Sequence, residues 1–423
     1  MKRPLLAVLL AVLLTVSACA DGDEARYEGG SGRIRFQVAG EAEEITVYRT
    51  LIAALKEDHP ELDVQLVEIA NKDDHIQKLA TSFAVGDAPD VFLVNFREYS
   101  QFVVRDALEP VESHLAGMGI DPDDYYPEPL EAFTYDGVLQ CMPQNVSSLV
   151  VYYNTTLFEE AGLPRPSSEW TWAEFRSYAR TLTAGDVKGV GIDPNVIRIA
   201  PFVWSNGGEV VDDLSSPTRF TLDTPEAREA LRFIVDLVRE DGVVPTEEEV
   251  AGQKLETRFV TGKLGMYLSS RRAVPVFREQ FDLEWDVAAL PVAKEPAGIL
   301  HSDAYCISKN SGDVDAALDL VSFATTREGQ TITALAGRTV PSLRSVAESG
   351  AFLNPVHPPE HSEVFLETIP ILRRTPVIPT WPEIEDFAEE VFRRAFYEEG
   401  YSIDEALADL DRLTRPLFAE GAP

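Results

Sequence analysis

The sequence predicts an α/β protein of two domains, and three observations lead there. The chain has 423 residues, a length more typical of two domains than of one. Its first hundred residues alternate strand-like and helix-like hydrophobic patterns. The run Val91 to Val94 is continuously apolar, as a parallel strand covered on both faces should be.

Each element has its own signal. Arg33 to Val38 alternates apolar and polar residues and predicts a first strand, punctuated by Gly40. Ile45, Tyr48, Ile52 and Leu55 then share a helical face that ends at His59-Pro60. Val64 to Ile69 predicts a second strand, and Ile76, Leu79, Ala80 and Phe83 a second helix that leads through Gly86 and Pro89 to the Val91 run. Thr171 and Glu174 have capping-box spacing, as do Ser402 and Glu405. Asp223-Thr224-Pro225 opens a helix that Gly242 closes, and further helices are expected over 314–326 and around Ile384 to Phe392. Pro355, Pro358 and Pro359 mark a loop.

The N-terminus is the most specific signal. Lys2 and Arg3 precede an apolar run from Leu5 to Val16, and Val16-Ser17-Ala18 supplies small residues for cleavage. The run is short for a membrane span. Cys19 follows directly, as in bacterial lipoprotein signals, where the cysteine is lipidated. The polar residues that come next suit a flexible tether. A net charge of −34, from 71 acidic and 37 basic residues, argues against nucleic acid or anionic lipid as a direct partner.

Enzyme signatures are missing. Gly262-Lys263 is followed by Leu264, so there is no phosphate-binding loop, and Gly189 and Gly191 lack a third glycine. HExxH, CxxC and a serine nucleophile elbow are absent. Only His357 and His361 have metal-like spacing, and in a Pro-rich loop they read as solvated residues, so no metal or cofactor is expected. Trp204 and Trp381 fall in segments that do not read as helix interior, and Trp204 precedes Asn206-Gly207-Gly208-Glu209. An indole face beside hydrogen-bonding groups suits a sugar. The remaining pair, Cys141 and Cys306, permits one disulfide or two buried thiols.

An ordered set of short segments resembles the extracellular solute-binding proteins of ATP-driven sugar importers. It includes Gly86-Asp87-Ala88-Pro89-Asp90-Val91, Met142-Pro143-Gln144-Asn145, Tyr152-Tyr153-Asn154 and Leu157-Phe158-Glu159-Glu160-Ala161-Gly162. It continues with Thr171-Trp172-Ala173-Glu174-Phe175, Asn206-Gly207-Gly208-Glu209, Gly262-Lys263-Leu264-Gly265-Met266 and Trp285-Asp286-Val287. Ile307-Ser308-Lys309, Glu328-Gly329-Gln330 and Trp381-Pro382-Glu383-Ile384 complete it.

The resemblance implies a two-lobed periplasmic-binding-protein-like fold of type II, with two discontinuous α/β domains joined by hinge strands near Pro143, before Ile307 and after Pro341. The implied division is a signal peptide at 1–18, a tether at 19–32, a first lobe from 33–143 and 304–341, and a second from 144–303 and 342–423. It implies a monomer, lipid-anchored through Cys19 on the outer face of the cell membrane. Such a protein would capture a mono- or oligosaccharide between its lobes and deliver it to permease subunits. Carried over by position, the ligand set is Glu41, Glu43, Asn95, Asn145, Ser147, Trp204, Asn206, Arg271, Arg272 and Trp381. Cys141 and Cys306 fall on neighbouring crossing strands, where the resemblance brings them face to face. His301-Ser302-Asp303 stands where many sugar binders have Gly-Gly, which adds His301 and Asp303 to the set and argues against copying a ligand from the family. Arg271 and Arg272 make a phosphorylated polyol the alternative ligand. A glycoside hydrolase and a sensory subunit are the competing functions.

Overall fold

A computed structural model describes residues 32–421. The expected signal peptide 1–18, Cys19 and all of the tether but Gly32 lie outside the described residues. β1 (Arg33–Ala39) leads to α1 (Ala42–Asp58), β2 (Asp63–Ile69), α2 (Lys72–Val85), β3 (Val91–Asn95) and α3 (Phe96–Val103). β1 runs parallel to both β2 and β3, in the order β2-β1-β3. The strand Asp303–Ser308 continues this sheet antiparallel to β3, with Leu108–Glu109 and Met142–Pro143 on its far side. All five residues of β3 are buried, as its unbroken apolar run requires. α2 stops where Gly86 takes φ 73°, a left-handed turn that costs glycine least.

A second sheet is ordered Trp285–Ala288, Leu149–Asn154, Leu264–Ser270, Lys188–Gly191. Its central strands are buried throughout and put their two faces into different cores: Val150 and Tyr152 into one, Leu149, Val151 and Tyr153 into the other. The helix Trp172–Leu182 packs so closely on this sheet that a Cβ at Gly189 would sit 1.9 Å from the Ala179 carbonyl oxygen. Both expected capping boxes form, with Thr171 and Ser402 accepting from the amides of Glu174 and Glu405 and the glutamates accepting in return. Thr246 and Glu249 make a third, unanticipated one. The C-terminal helices Trp381–Tyr397 and Ile403–Glu420 pack on each other, and the first of them also meets α3 and the helix Pro225–Arg239. No helix among the described residues is long and apolar enough to cross a membrane.

The chain passes between the two sheets twice at one place, and a third segment, around Val340, runs beside those crossings. Gln144 N donates to Asp303 O, Ser147 and His301 exchange backbone hydrogen bonds, and Val146 N donates to Val340 O. Cys141 and Cys306 are joined by a disulfide across adjacent strands, with Cα atoms 4.5 Å apart. The helix Arg344–Ala347 packs on the helix Arg327–Leu335, so residues just past 341 still belong with the first unit rather than the second. His361 is not a solvated loop residue. It is half-buried, and its backbone and ring nitrogens both bond Asp286, tying the Pro-rich loop to the second sheet. Glu360 brings a third ligand-type atom near this pair.

Candidate ligand-binding cleft

The C-terminal ends of β1, β2 and β3 and the first turns of α1, α2 and α3 meet at a cavity of about 510 Å³. In open α/β sheets this is where ligands sit, because strand ends leave a crevice and helix N-termini point into it. β1 contributes Glu41, the N-cap of α1; β2 leads to Asn71 and Lys72; β3 ends at Asn95, whose side chain caps α3. The crossing segments add Asn145, Ser147, His301 and Asp303. From the second unit come Arg198, in the first turn of the helix Val196–Ser205, and Arg272, directly after the strand Leu264–Ser270.

The floor is fixed by a small polar network. Asp303 accepts from Asn95 Nδ2 at 3.1 Å and from Asn145 Nδ2 at 3.2 Å, and its own amide donates to Asn145 Oδ1 at 3.1 Å. Arg97 is held by Glu385 at 2.7 Å and Arg338 by Glu44 at 2.9 Å. Burial pushes the Glu44 carboxyl up to about 7, with Arg338 opposing the shift. His301 is driven well below its usual range by burial, reinforced by Arg97, Arg198, Lys72 and Arg272, so its imidazole is neutral at pH 7.

Four side chains around the cavity carry a buried polar atom without a hydrogen-bond partner among the described residues: Glu44 Oε2, Ser147 Oγ, Arg198 Nε and His301 Nε2. Each such atom costs about 1–3 kcal/mol if left unpaired. Their convergence on one cavity is what a polyhydroxylated ligand would satisfy.

Seven of the twelve expected ligand residues therefore meet here: Glu41, Asn95, Asn145, Ser147, Arg272, His301 and Asp303. The other five do not. Trp204 is not in a loop but in the last turn of the helix Val196–Ser205, 3% exposed, with the Arg373 guanidinium 4.9 Å from its ring centroid. It borders a separate cavity of about 310 Å³. Asn206 caps that helix and spends its amide on Glu226 O and Glu229. Trp381 is fully buried against Phe220 and Phe418, where an apolar ring gains most. Arg271 is buried over Phe352 and Phe365, donating to Gly337 O and Ser362 Oγ. Glu43 is exposed on α1 and faces an outer hollow beside Arg278 and His357. Sequence reasoning missed Lys72, Arg97, Arg198, Arg338 and Glu44. Lys72 lies three residues past the end of β2, Arg97 two past the end of β3, and Arg198 follows the N-cap Asn195 by three.

Residues 50–359 match the family of bacterial extracellular solute-binding proteins. The chain belongs to that family. A solute-binding protein of this family works outside the cytoplasm and captures its solute without transforming it, so the chain is not an enzyme. It is 23% identical over 410 residues to a binding protein of Brucella abortus (strain 2308), covering 93% of this chain and 94% of that one. Among solved structures, it resembles an ABC substrate-binding protein of Listeria monocytogenes in complex with cycloalternan, with a TM-score of 0.83 at 24% identity, over 91% and 98% of the two chains. The sugar-binding protein MalE of Xanthomonas citri matches with a TM-score of 0.80 at 24% identity, over 92% and 98%. These likenesses give this solute-binding protein the two-lobed fold.

Proposed function

We propose that this solute-binding protein is the capture subunit of an ATP-driven importer. It is monomeric, anchored to the outer face of the cell membrane by a lipid on Cys19, and it passes a sugar or sugar derivative to permease subunits. The observation that carries the reading is the set of unpartnered polar atoms on Ser147, Arg198, His301 and Glu44 around one interlobe cavity. Those atoms come from both units and from the crossings, so a ligand that pairs with all of them favours the closed arrangement over an open one. The ligands and names of the structural neighbours support a carbohydrate-like guest. The expected contacts are Glu41, Asn95, Asn145 and Asp303 for hydroxyls, with His301, Ser147, Arg198 and Arg272 around them.

A thermal-shift screen with sugars, polyols and their derivatives tests this. A true ligand at a hundredfold excess over its Kd should stabilise the fold by about 2.7 kcal/mol, a rise of several degrees in Tm. Asp303→Ala should abolish that rise. A shift that survives the substitution, or chemical turnover of the bound molecule, would overturn the reading. The anchor has its own measurement: Cys19→Ser should move the protein from the membrane fraction to the medium.

A further inference from the structure

The charge of the cleft opposes that of the chain. The protein carries 71 acidic against 37 basic residues, yet five of the residues around the cavity are Lys or Arg and only three are Asp or Glu. Two of the five are answered internally, Arg97 by Glu385 and Arg338 by Glu44. The remaining three are answered more loosely or not at all. Arg198 is 8% exposed, touches Asp193 at 3.4 Å through one terminal nitrogen, and keeps its Nε without a partner. Arg272 reaches only Glu256, at 3.8 Å, and stays 54% exposed. Lys72 makes no ion pair among the described residues.

The backbone adds to this field. α1, α2, α3 and the helix Val196–Ser205 all begin at the cavity wall, and a helix N-terminus carries roughly half a positive charge. A buried, half-satisfied guanidinium is costly unless an anion completes it. A neutral sugar would instead want a ring face to stack on, and no Phe, Tyr or Trp lies among the described residues around this cavity.

We infer that the captured solute is an acid: a polyhydroxylated body bearing a carboxylate or phosphate group, whose anionic oxygens bind Arg198 between Lys72 and Arg272. The hydroxyls fall to Asp303, Asn145 and Glu41. This rests on the cleft being the solute site, as proposed above. Lys72, Arg198 and Arg272 border the same cavity as His301. Guanidinium groups suit that place because they meet planar or tetrahedral oxyanions with paired donors.

Calorimetry with matched pairs decides it. The probes are glucuronate and galacturonate with their parent hexoses, and glycerol 3-phosphate and a hexose phosphate with glycerol and the hexose. In at least one pair the acid should bind a hundredfold or more tighter than its neutral parent, and which pair responds separates carboxylate from phosphate. The acid's affinity should fall at least tenfold between 0.05 and about 0.5 M salt, as screening of charge requires. Arg198→Gln should cost the acid at least a hundredfold. Arg272→Gln, at an exposed side chain with little bearing on folding, should cost the acid at least tenfold with Tm unchanged. Neutral parents that bind as tightly as their acids would overturn the inference while leaving the capture reading standing. No response from any member, acid or neutral, would overturn both.

Discussion

The interlobe cleft and the cavity beside Trp204 are both walled by arginines and acids, but their balances are opposite. Around the cleft, cations outnumber carboxylates and the described residues include no Phe, Tyr or Trp. Around the Trp204 cavity four acids, Glu128, Glu131, Glu209 and Asp212, face two cations, Arg373 and Arg374. Its one indole is already covered: Arg373 lies over Trp204 and pairs with Glu209. An aromatic face whose partner comes from the same chain is part of the architecture. Guanidinium and imidazole atoms with no such partner, Arg198 Nε and His301 Nε2, are what the proposed solute would pair with. The difference teaches that residue type alone marks a binding site less well than what folding leaves unpaired.

That contrast can be broken by substitution. Trp381→Ala should be the heaviest, costing about 3–5 kcal/mol because a fully buried indole leaves a cavity between Phe220 and Phe418. Denaturant melts would read the loss, while solute affinity at a temperature where the variant is folded should stay within about threefold. Trp204→Ala should cost somewhat less, about 3 kcal/mol, since the residue already borders a cavity. A tenfold or greater loss of affinity in that variant would move the binding site out of the cleft and dissolve the comparison.

The smallest effect sharpens the electrostatic side. Glu44 ionises near 4.5 when unfolded and near 7 when folded. The folded state therefore holds the extra proton between those values, so stability falls as pH rises from about 4.5 to about 7 and is level above that. Ionisation also adds a negative charge to the cleft wall, so an acid solute should bind several-fold more tightly at pH 6 than at pH 8. Glu44→Gln should flatten both dependences in melting and calorimetry. An unchanged slope in the variant would assign the titration to another group.

Much of the fold was legible because its signals are local. The unbroken run Val91 to Val94 announced a strand covered on both faces, and Thr171-Glu174 and Ser402-Glu405 announced helix starts by spacing alone. The same pattern at Thr246-Glu249 was equally readable and was passed over. The site was legible where backbone position decides it: Glu41 and Asn95 follow strand ends, and Asn145, His301 and Asp303 sit on the crossings. It was illegible where packing decides. The following Asn206-Gly207-Gly208-Glu209 made Trp204 read as loop, although the helix runs to Ser205. Arg271 and Arg272 are adjacent in sequence, and nothing local says that the first turns into a phenylalanine cage and the second into the cleft. Arg198 needed the helix phase and a neighbour from another segment before its Nε could be seen to lack a partner.

The bond between Cys141 and Cys306 spans 165 positions of sequence, and that interval contains every strand of the second sheet. Topologically, most of one lobe is a covalent macrocycle whose clasp is at the hinge. A protease nick anywhere inside the ring leaves a single molecule under oxidising conditions, with both ends still fastened to the first lobe. The segment near Val340 that runs beside the crossings lies outside the ring and has no such safeguard.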